Sequence, residues 1–290
     1  MEKDQFYSSQ SPRSGEMSPS VKYCFCTLAF GDPYRLAAKH LAQQLQKCDI
    51  DLFVVTDEPQ YFKDLPKVNA VKLHRTSILY AYNDKRFALE NALKHYECAV
   101  LVDADSEIIG DIPQVLEIPP GMYANTSCKS LEENLKKHHP KNYGSFQLLA
   151  QKLKIDLSQT QWICENLIII RRSSDQEWKF LDTWELADRW LGIRQVFQGD
   201  HSYIGVAAAV AGWQVDNHPE FSRIKEIIKN QGRRHIGFTG KVWQPKSKIF
   251  RKMGFYWRWL QAFLRTFLEP KKYVSSQKAR GHSLRKLRPN

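Results

Sequence analysis

Short apolar runs that alternate with amphipathic helical segments from Val21 onward predict an α/β protein, with a mostly parallel central sheet and helices on both of its faces. Two further observations support that class. At 290 residues and 42% hydrophobic composition the chain can bury a full core, and no Gly/Ser-rich linker interrupts residues 21–245, so that stretch reads as one domain.

The first run, YCFCTLAF (23–30), ends at Gly31-Asp32-Pro33. The helix that follows carries Leu36, His40, Leu41 and Leu45 near a 3.6-residue period. A second run, DLFVVT, ends at Asp57, and a third, VNAVKLH, leads through a loop to Asn83. That asparagine is the expected N-cap of the helix DKRFALENALKHY. The run CAVLV then ends at Asp103. Beyond Asp111 the order is less regular. Strands are expected at GMYANT, WICENLIIIR and WQVDN, and helices near 174–190 and 200–211, with Gly212 as a helix stop.

The formal charge of +12 is unevenly placed. Residues 246–290 hold 13 of the 43 Lys and Arg and one of the 31 acids, which leaves 30 of each sign in 1–245. A neutral body argues against nucleic acid as a partner, since such enzymes place basic surface around the active site. The excess belongs to a C-terminal unit, 246–290. Within it, residues 249–268 place Phe250, Met253, Trp257, Leu260, Leu264 and Phe267 at helical spacing among basic residues. Too many charges interrupt it for a bilayer span, and two readings stay open: a helix packed on the domain, or an interfacial helix drawn to anionic lipid. The first 20 residues lack the apolar core of a secretory signal and read as a disordered leader. The six cysteines show neither a zinc spacing nor a disulfide framework, so a reducing cytoplasm is expected, with peripheral attachment to the cytoplasmic face of a membrane.

The apolar run AVLV ends in Asp103-Ala104-Asp105. A strand period of two puts the carboxylates on one side and Ala104 on the other. The pair either holds a hard cation, Mn²⁺ or Mg²⁺, together with phosphate oxygens, or consists of ordinary turn residues. Asp49 and Asp51 repeat the spacing at the opposite end of a strand, away from the carboxyl edge where ligands of open α/β sheets bind. Lys85 and Arg86, in the first turn of a helix, oppose its dipole; they face either an anion near the aspartates or solvent. The stretch RRHIGFTGKVW (233–243) offers His235 to a metal, Gly237 and Gly240 for close backbone approach, and Lys241 to phosphate.

Together these residues resemble the family 8 glycosyltransferases, which include the glycogenins and bacterial lipopolysaccharide galactosyltransferases. TLAFGDPY (27–34) is similar to the family's first strand and turn, and DKRFALENALKHYECAVLVDADSEIIGDIPQVLE to its helix and Asp-x-Asp strand. HIGFTGKVW resembles the motif His-x-x-Gly-x-x-Lys-Pro-Trp through His235, Lys241 and Trp243, with Phe238 and Val242 as departures. The resemblance implies the GT-A nucleotide-sugar fold, a metal held by Asp103, Asp105 and His235, and donor contacts from Thr27, Leu28, Tyr34, Lys85, Arg86, Asp103, Ala104, Gly240 and Lys241. Where the family has Asn-Ser-Gly this chain has Cys164-Glu165-Asn166, and its Asp-Gln pair resembles Asp200-His201. Asp200 is then expected on sugar hydroxyls, with Glu165 or His201 near the anomeric carbon or acceptor; the helix N-cap is the other reading of Asp200.

The implied reaction moves a sugar, with retention, from a nucleotide diphosphate donor such as UDP-sugar to a glycan or glycolipid acceptor. The diphosphate charge that develops as the anomeric bond breaks is stabilised by metal and lysine. Two alternatives stand beside it: a haloacid-dehalogenase-like phosphohydrolase using the Asp-x-Asp, and a non-catalytic membrane-associated module.

Overall fold

The computed structural model describes residues 20–196, 200–215, 218–230 and 248–267. In chain order the strands are β1 (Tyr23–Ala29), β2 (Leu52–Thr56), β3 (Val68–Lys72), β4 (Cys98–Val102), β5 (Ser106–Ile108), β6 (Gly121–Ser130), β7 (Gln161–Arg171) and β8 (Ile228–Asn230). The helices are α1 (Asp32–Lys47), α2 (Lys85–His95), α3 (Leu131–His138), α4 (Pro140–Leu153), α5 (Gln176–Ile193), α6 (Asp200–Ala211), α7 (Pro219–Ile227) and α8 (Lys248–Phe267).

A six-stranded sheet has the order β3-β2-β1-β4-β7-β6, and β5 pairs with β8 in a separate two-stranded ribbon. The first four strands of the large sheet are parallel, whereas β7 runs antiparallel to both β4 and β6. The expected α/β class, with a mainly parallel central sheet flanked by helices, is therefore the class observed.

Strand periodicity sorts the core into two layers. Cys24, Cys26, Phe53, Val55, Ala99 and Leu101 pack with Leu89 and Leu93 of α2, Trp184 of α5 and Ile204 of α6. Their alternates Tyr23, Phe25, Leu52, Val54, Val100 and Val102 pack with Leu41 and Leu45 of α1 and with Phe221 and Ile224 of α7. Strands buried on both faces explain the near-continuous apolar runs in the sequence. Gly31, at φ +80°, makes the turn from β1 into α1 that an L side chain would strain.

Several expectations need correction. Asn83 is not an N-cap: it lies in a short 3-10 turn, Ala81–Asp84, fully buried, with its amide donating to Asp188 at 2.7 Å. Residues 213–215 of the expected strand WQVDN are irregular, because the Val215 amide donates to the side chain of Gln161 instead of to a strand neighbour. Helices α3, α4 and α7 and the ribbon strands were not anticipated. Cys24, Cys26, Cys48, Cys98 and Cys164 are free thiols.

The C-terminal helix forms as expected, but it is in contact with the body. Trp259 Nε1 donates to the Ile193 carbonyl at the end of α5 (3.1 Å), and Ala262 is buried. Met253, Tyr256, Trp257, Leu260, Phe263 and Leu264 stay exposed. Among the described residues no helix is long and apolar enough to cross a membrane.

Candidate functional site

Strand β4 ends at Val102, so Asp103 and Asp105 lie in the turn between β4 and β5 rather than on the strand itself. Side-chain alternation is thus not what brings them together. The Ser106 amide donates to the Asp103 carbonyl (3.1 Å), Ala104 is tucked in, and both carboxylates open on one cavity of about 590 Å³. Lys85 Nζ, at the start of α2, sits 2.6 Å from Asp103 Oδ1. The pairing of β5 with β8 sets Ser106 opposite Asn230, whose Nδ2 donates to Asp103 Oδ2 at 2.9 Å. The Asp49/Asp51 pair precedes β2 and is engaged structurally: Asp49 pairs with Lys67 (2.8 Å), and Asp51 accepts from the Tyr96 hydroxyl. Chain position thus separates two identical spacings, as the carboxyl-edge rule requires.

Leu28 from the end of β1, Phe30 from the turn and Tyr34 from the first turn of α1, with Ala81 and Tyr82 from the turn before α2, line the cavity's apolar side. Tyr80 and Tyr82 stack at 4.8 Å between centroids. The remaining wall is Glu165 and His201. Their placement rests on two long-range features. In the β6–β7 ladder Ala124 sits opposite Ile168 but Thr126 opposite Ile163, so β7 bulges through 164–167 and re-aims its side chains. Helix α6 meets β7 at Gly205, where a Cβ would lie 2.2 Å from the Gln161 carbonyl oxygen; only glycine permits that approach. The His201 ring then rests on Trp162, 4.5 Å between centroids, with Nδ1 against Glu165 Oε2. Burial, reinforced by the Lys85 charge, pushes the imidazole down to about 4, so it is neutral at neutral pH.

Of the residues singled out by sequence, the cavity gathers Leu28, Tyr34, Lys85, Asp103, Ala104, Asp105, Glu165 and His201. Thr27 does not line it; its hydroxyl donates to the Val102 carbonyl (2.8 Å), tying β1 to β4. Arg86 turns away from its neighbour Lys85. It donates to the Asn83 carbonyl (2.8 Å) and Thr76 Oγ1 (3.1 Å) and lies 3.6 Å from both Asp84 and Asp188. Neither cation reaches free solvent: Lys85 is 7% exposed and Arg86 4%. Asp200 is the first residue of α6, and its side chain lies outside the described residues, as do His235, Gly237, Gly240 and Lys241. Phe30, Ala81, Tyr82 and Asn230 were missed. The aromatic YAYN segment before α2 was a usable signal, whereas nothing local marks Asn230.

Asp103, Asp105 and Glu165 against the one lysine leave the cavity wall net negative, which favours a cation, and its apolar and aromatic side offers a surface for a flat ring. The donor set at the turn is oxygen only, which fits a hard divalent cation.

No protein-family model matches the chain, and no curated protein sequence does. Among solved structures it is similar to the WbbM bifunctional glycosyltransferase in its apo form, at 11% identity and a TM-score of 0.41 over 69% of this chain. The chain spans 39% of that protein's length. It is similar to the PaToxG glycosyltransferase at 10% identity and a TM-score of 0.34, covering 84% of this chain and 87% of that one. The third similarity is to a mutant Drosophila β1,4-galactosyltransferase 7 in complex with manganese, UDP-Gal and xylobiose, at 14% identity and a TM-score of 0.30, covering 80% of each chain.

Proposed function

We propose that this chain is a metal-dependent glycosyltransferase that moves a sugar from a nucleotide diphosphate donor, UDP-linked in the first instance, to a glycan or glycolipid acceptor. The observation that carries the reading is the Asp-x-Asp turn at the carboxyl end of β4, opening on a cavity lined by Leu28, Tyr34, Tyr82 and Lys85. Leu28, Phe30 and the tyrosines offer faces for a base to stack on. Lys85, already balanced against Asp103, supplies positive charge beside the diphosphate. Asp103 and Asp105 would hold Mn²⁺ or Mg²⁺, which when bound neutralises charge on the leaving diphosphate. His235 as a third ligand, with Gly240 and Lys241 on the diphosphate, completes the assignment on sequence grounds.

Glu165 and His201 stand on the wall left for the sugar and acceptor. Their place in the cavity supports the assignment of Glu165 or His201 to contact with the anomeric carbon or the acceptor. Asp200, at the start of the same helix as His201, is assigned to sugar hydroxyls. The retaining outcome follows only from the family resemblance.

The reading is tested by calorimetry of UDP and a panel of UDP-sugars with Mn²⁺ and with EDTA, on the native chain and on Asp105→Asn. Metal-dependent binding lost in the variant, with an unchanged melting temperature, is the expected result. Equal binding in EDTA and Mn²⁺ overturns it, and Mg²⁺-dependent phosphate release from simple phosphomonoesters would favour the hydrolase reading instead.

We further propose that the acceptor lies at an anionic membrane surface on the cytoplasmic side. Helix α8 supports this: its exposed Met253, Tyr256, Trp257, Leu260 and Leu264 lie among Lys252, Arg258 and Arg265. The free thiols suit a reducing compartment. Because α8 covers part of α5, the test is substitution rather than truncation. Trp257→Glu combined with Leu260→Glu should abolish sedimentation with phosphatidylserine vesicles at low salt and spare nucleotide binding; unaltered sedimentation overturns the membrane assignment.

A further inference from the structure

Sequence spacing shows no zinc motif, yet the fold assembles a mixed donor set of sulfur, nitrogen and oxygen. Cys164 Sγ, a carboxylate oxygen of Glu165 and a ring nitrogen of His201 all lie within 4.8 Å of one another. We propose that Cys164, Glu165 and His201 form a second cation site, selective for Zn²⁺ or a similar borderline ion and distinct from the Asp103/Asp105 turn.

Three features carry the assignment. The β7 bulge is what allows adjacent residues, Cys164 and Glu165, to serve one point, since a regular strand would send them to opposite faces. Glu165 Oε2 and His201 Nδ1 are shut off from solvent and lie against each other, and among the described residues neither atom has a hydrogen-bond partner. A buried polar pair of that kind gains from a ligand that satisfies both atoms. The donors also match the ion. Thiolate, imidazole and carboxylate bind zinc at about 2.0–2.3 Å, so one ion can reach all three with small side-chain rotations. The hard all-oxygen pair at Asp103/Asp105 selects for Mn²⁺ or Mg²⁺.

Glu165 and His201 also line the cavity, so an ion held by the three protein ligands would lie within its wall. On binding, the Cys164 thiol gives up its hydrogen bond to Asn166 Oδ1 (3.2 Å) and releases its proton to solvent as the S–metal bond forms. The site shares its cavity with the glycosyl-transfer reading, so the test has to separate the two.

Full-length protein is stripped with chelator, loaded with Zn²⁺ or Co²⁺ and desalted, and then measured for metal content and absorption. The expected result is about one equivalent of Zn²⁺ retained per chain, and a thiolate-to-cobalt charge-transfer band in the near ultraviolet. Both should be lost in Cys164→Ser and in His201→Gln, with melting curves confirming that each variant folds, and both kept in Asp105→Asn and Cys128→Ser. Failure to retain metal, or a band that survives Cys164→Ser, overturns the second site while leaving Mn²⁺-dependent UDP binding as an independent measurement. A band that persists where UDP binding proves metal-independent upholds this site and overturns the glycosyl-transfer reading.

Discussion

Two adjacent cations begin helix α2, and the fold sends them to opposite fates. Lys85 leans into the cavity at the carboxyl edge of β4, against an Asp103 side chain that keeps 22% of its exposure. Arg86 enters a closed cluster with Asp84 and Asp188, in which Asp84 is fully buried. Asp84 there accepts from the Thr76 amide (2.9 Å) and hydroxyl (2.6 Å) and from the Ser77 amide (3.1 Å) and hydroxyl (2.7 Å). The contrast shows how a structural cluster of charge differs from a site. A carboxylate taken wholly out of water must have its donors supplied by protein, so protein donors surround Asp84 in the Arg86 cluster. The Asp103/Asp105 turn keeps open volume beside it, which is what a ligand needs.

The largest effect expected from breaking this comparison lies in the closed cluster. Arg86→Met leaves Asp84 and Asp188 buried without their cation and should cost about 3–5 kcal/mol. At about 2–4 °C per kcal/mol for a chain of this size, calorimetry should show a melting temperature lower by roughly 10 °C. Metal-dependent nucleotide binding, measured well below that temperature, should be little changed. A variant that melts like the native chain would show that the cluster is not what holds α2.

Next in size is Lys85→Met. Removing a positive group from the cavity should lower sugar transfer by about 100-fold, with a small change in melting temperature because Asn230 still donates to Asp103. A large loss of stability with transfer unaffected would move Lys85 into the structural class with Arg86.

The smallest effect sharpens the electrostatics of the closed cluster. Burial pushes Asp188 up to about 6, against the pull of Arg86. The folded protein therefore holds that proton more tightly than the unfolded chain, whose carboxyl titrates near 4. Below about pH 4 both states are protonated and the group adds no pH dependence. Between about 4 and 6 the unfolded chain ionises first, so this residue's contribution to stability falls as pH rises and then levels off. In urea titrations across that window the stability of Asp188→Asn relative to the native chain should climb with pH. A constant difference would show that Asp188 does not titrate in this range.

Helix α8 is the sequence reading that the fold left divided. Its aromatic stripe admitted either a packed or an interfacial helix, and the fold packs one side of it on the body and leaves the other exposed. Trp259 and Ala262 attach it to the body, while Met253 and Trp257 face outward. Helical spacing alone cannot say which side a helix offers its host, because that depends on what the host presents.

Local periodicity by itself determined much of this protein. The apolar runs at 23–30, 51–56 and 98–102 are strands because a sheet covered on both faces demands continuous apolar residues. The Asp-x-Asp after CAVLV was recognisable from its place at a strand's end, and helix α6 was bounded by Gly212. Tertiary structure alone decided where side chains with no local constraint would point. Lys85 and Arg86 are neighbours in sequence, yet α5 supplies Asp188 to one and the β4–β5 turn supplies Asp103 to the other. Asn83, read as a cap, is instead drawn inward to Asp188, 105 residues away. Asn230 enters the site through the ribbon of β5 with β8, and Cys164 joins Glu165 and His201 through the bulge in β7. Each of these rests on strand register and helix packing between distant segments, and such long-range pairings leave no mark on the residues immediately around them.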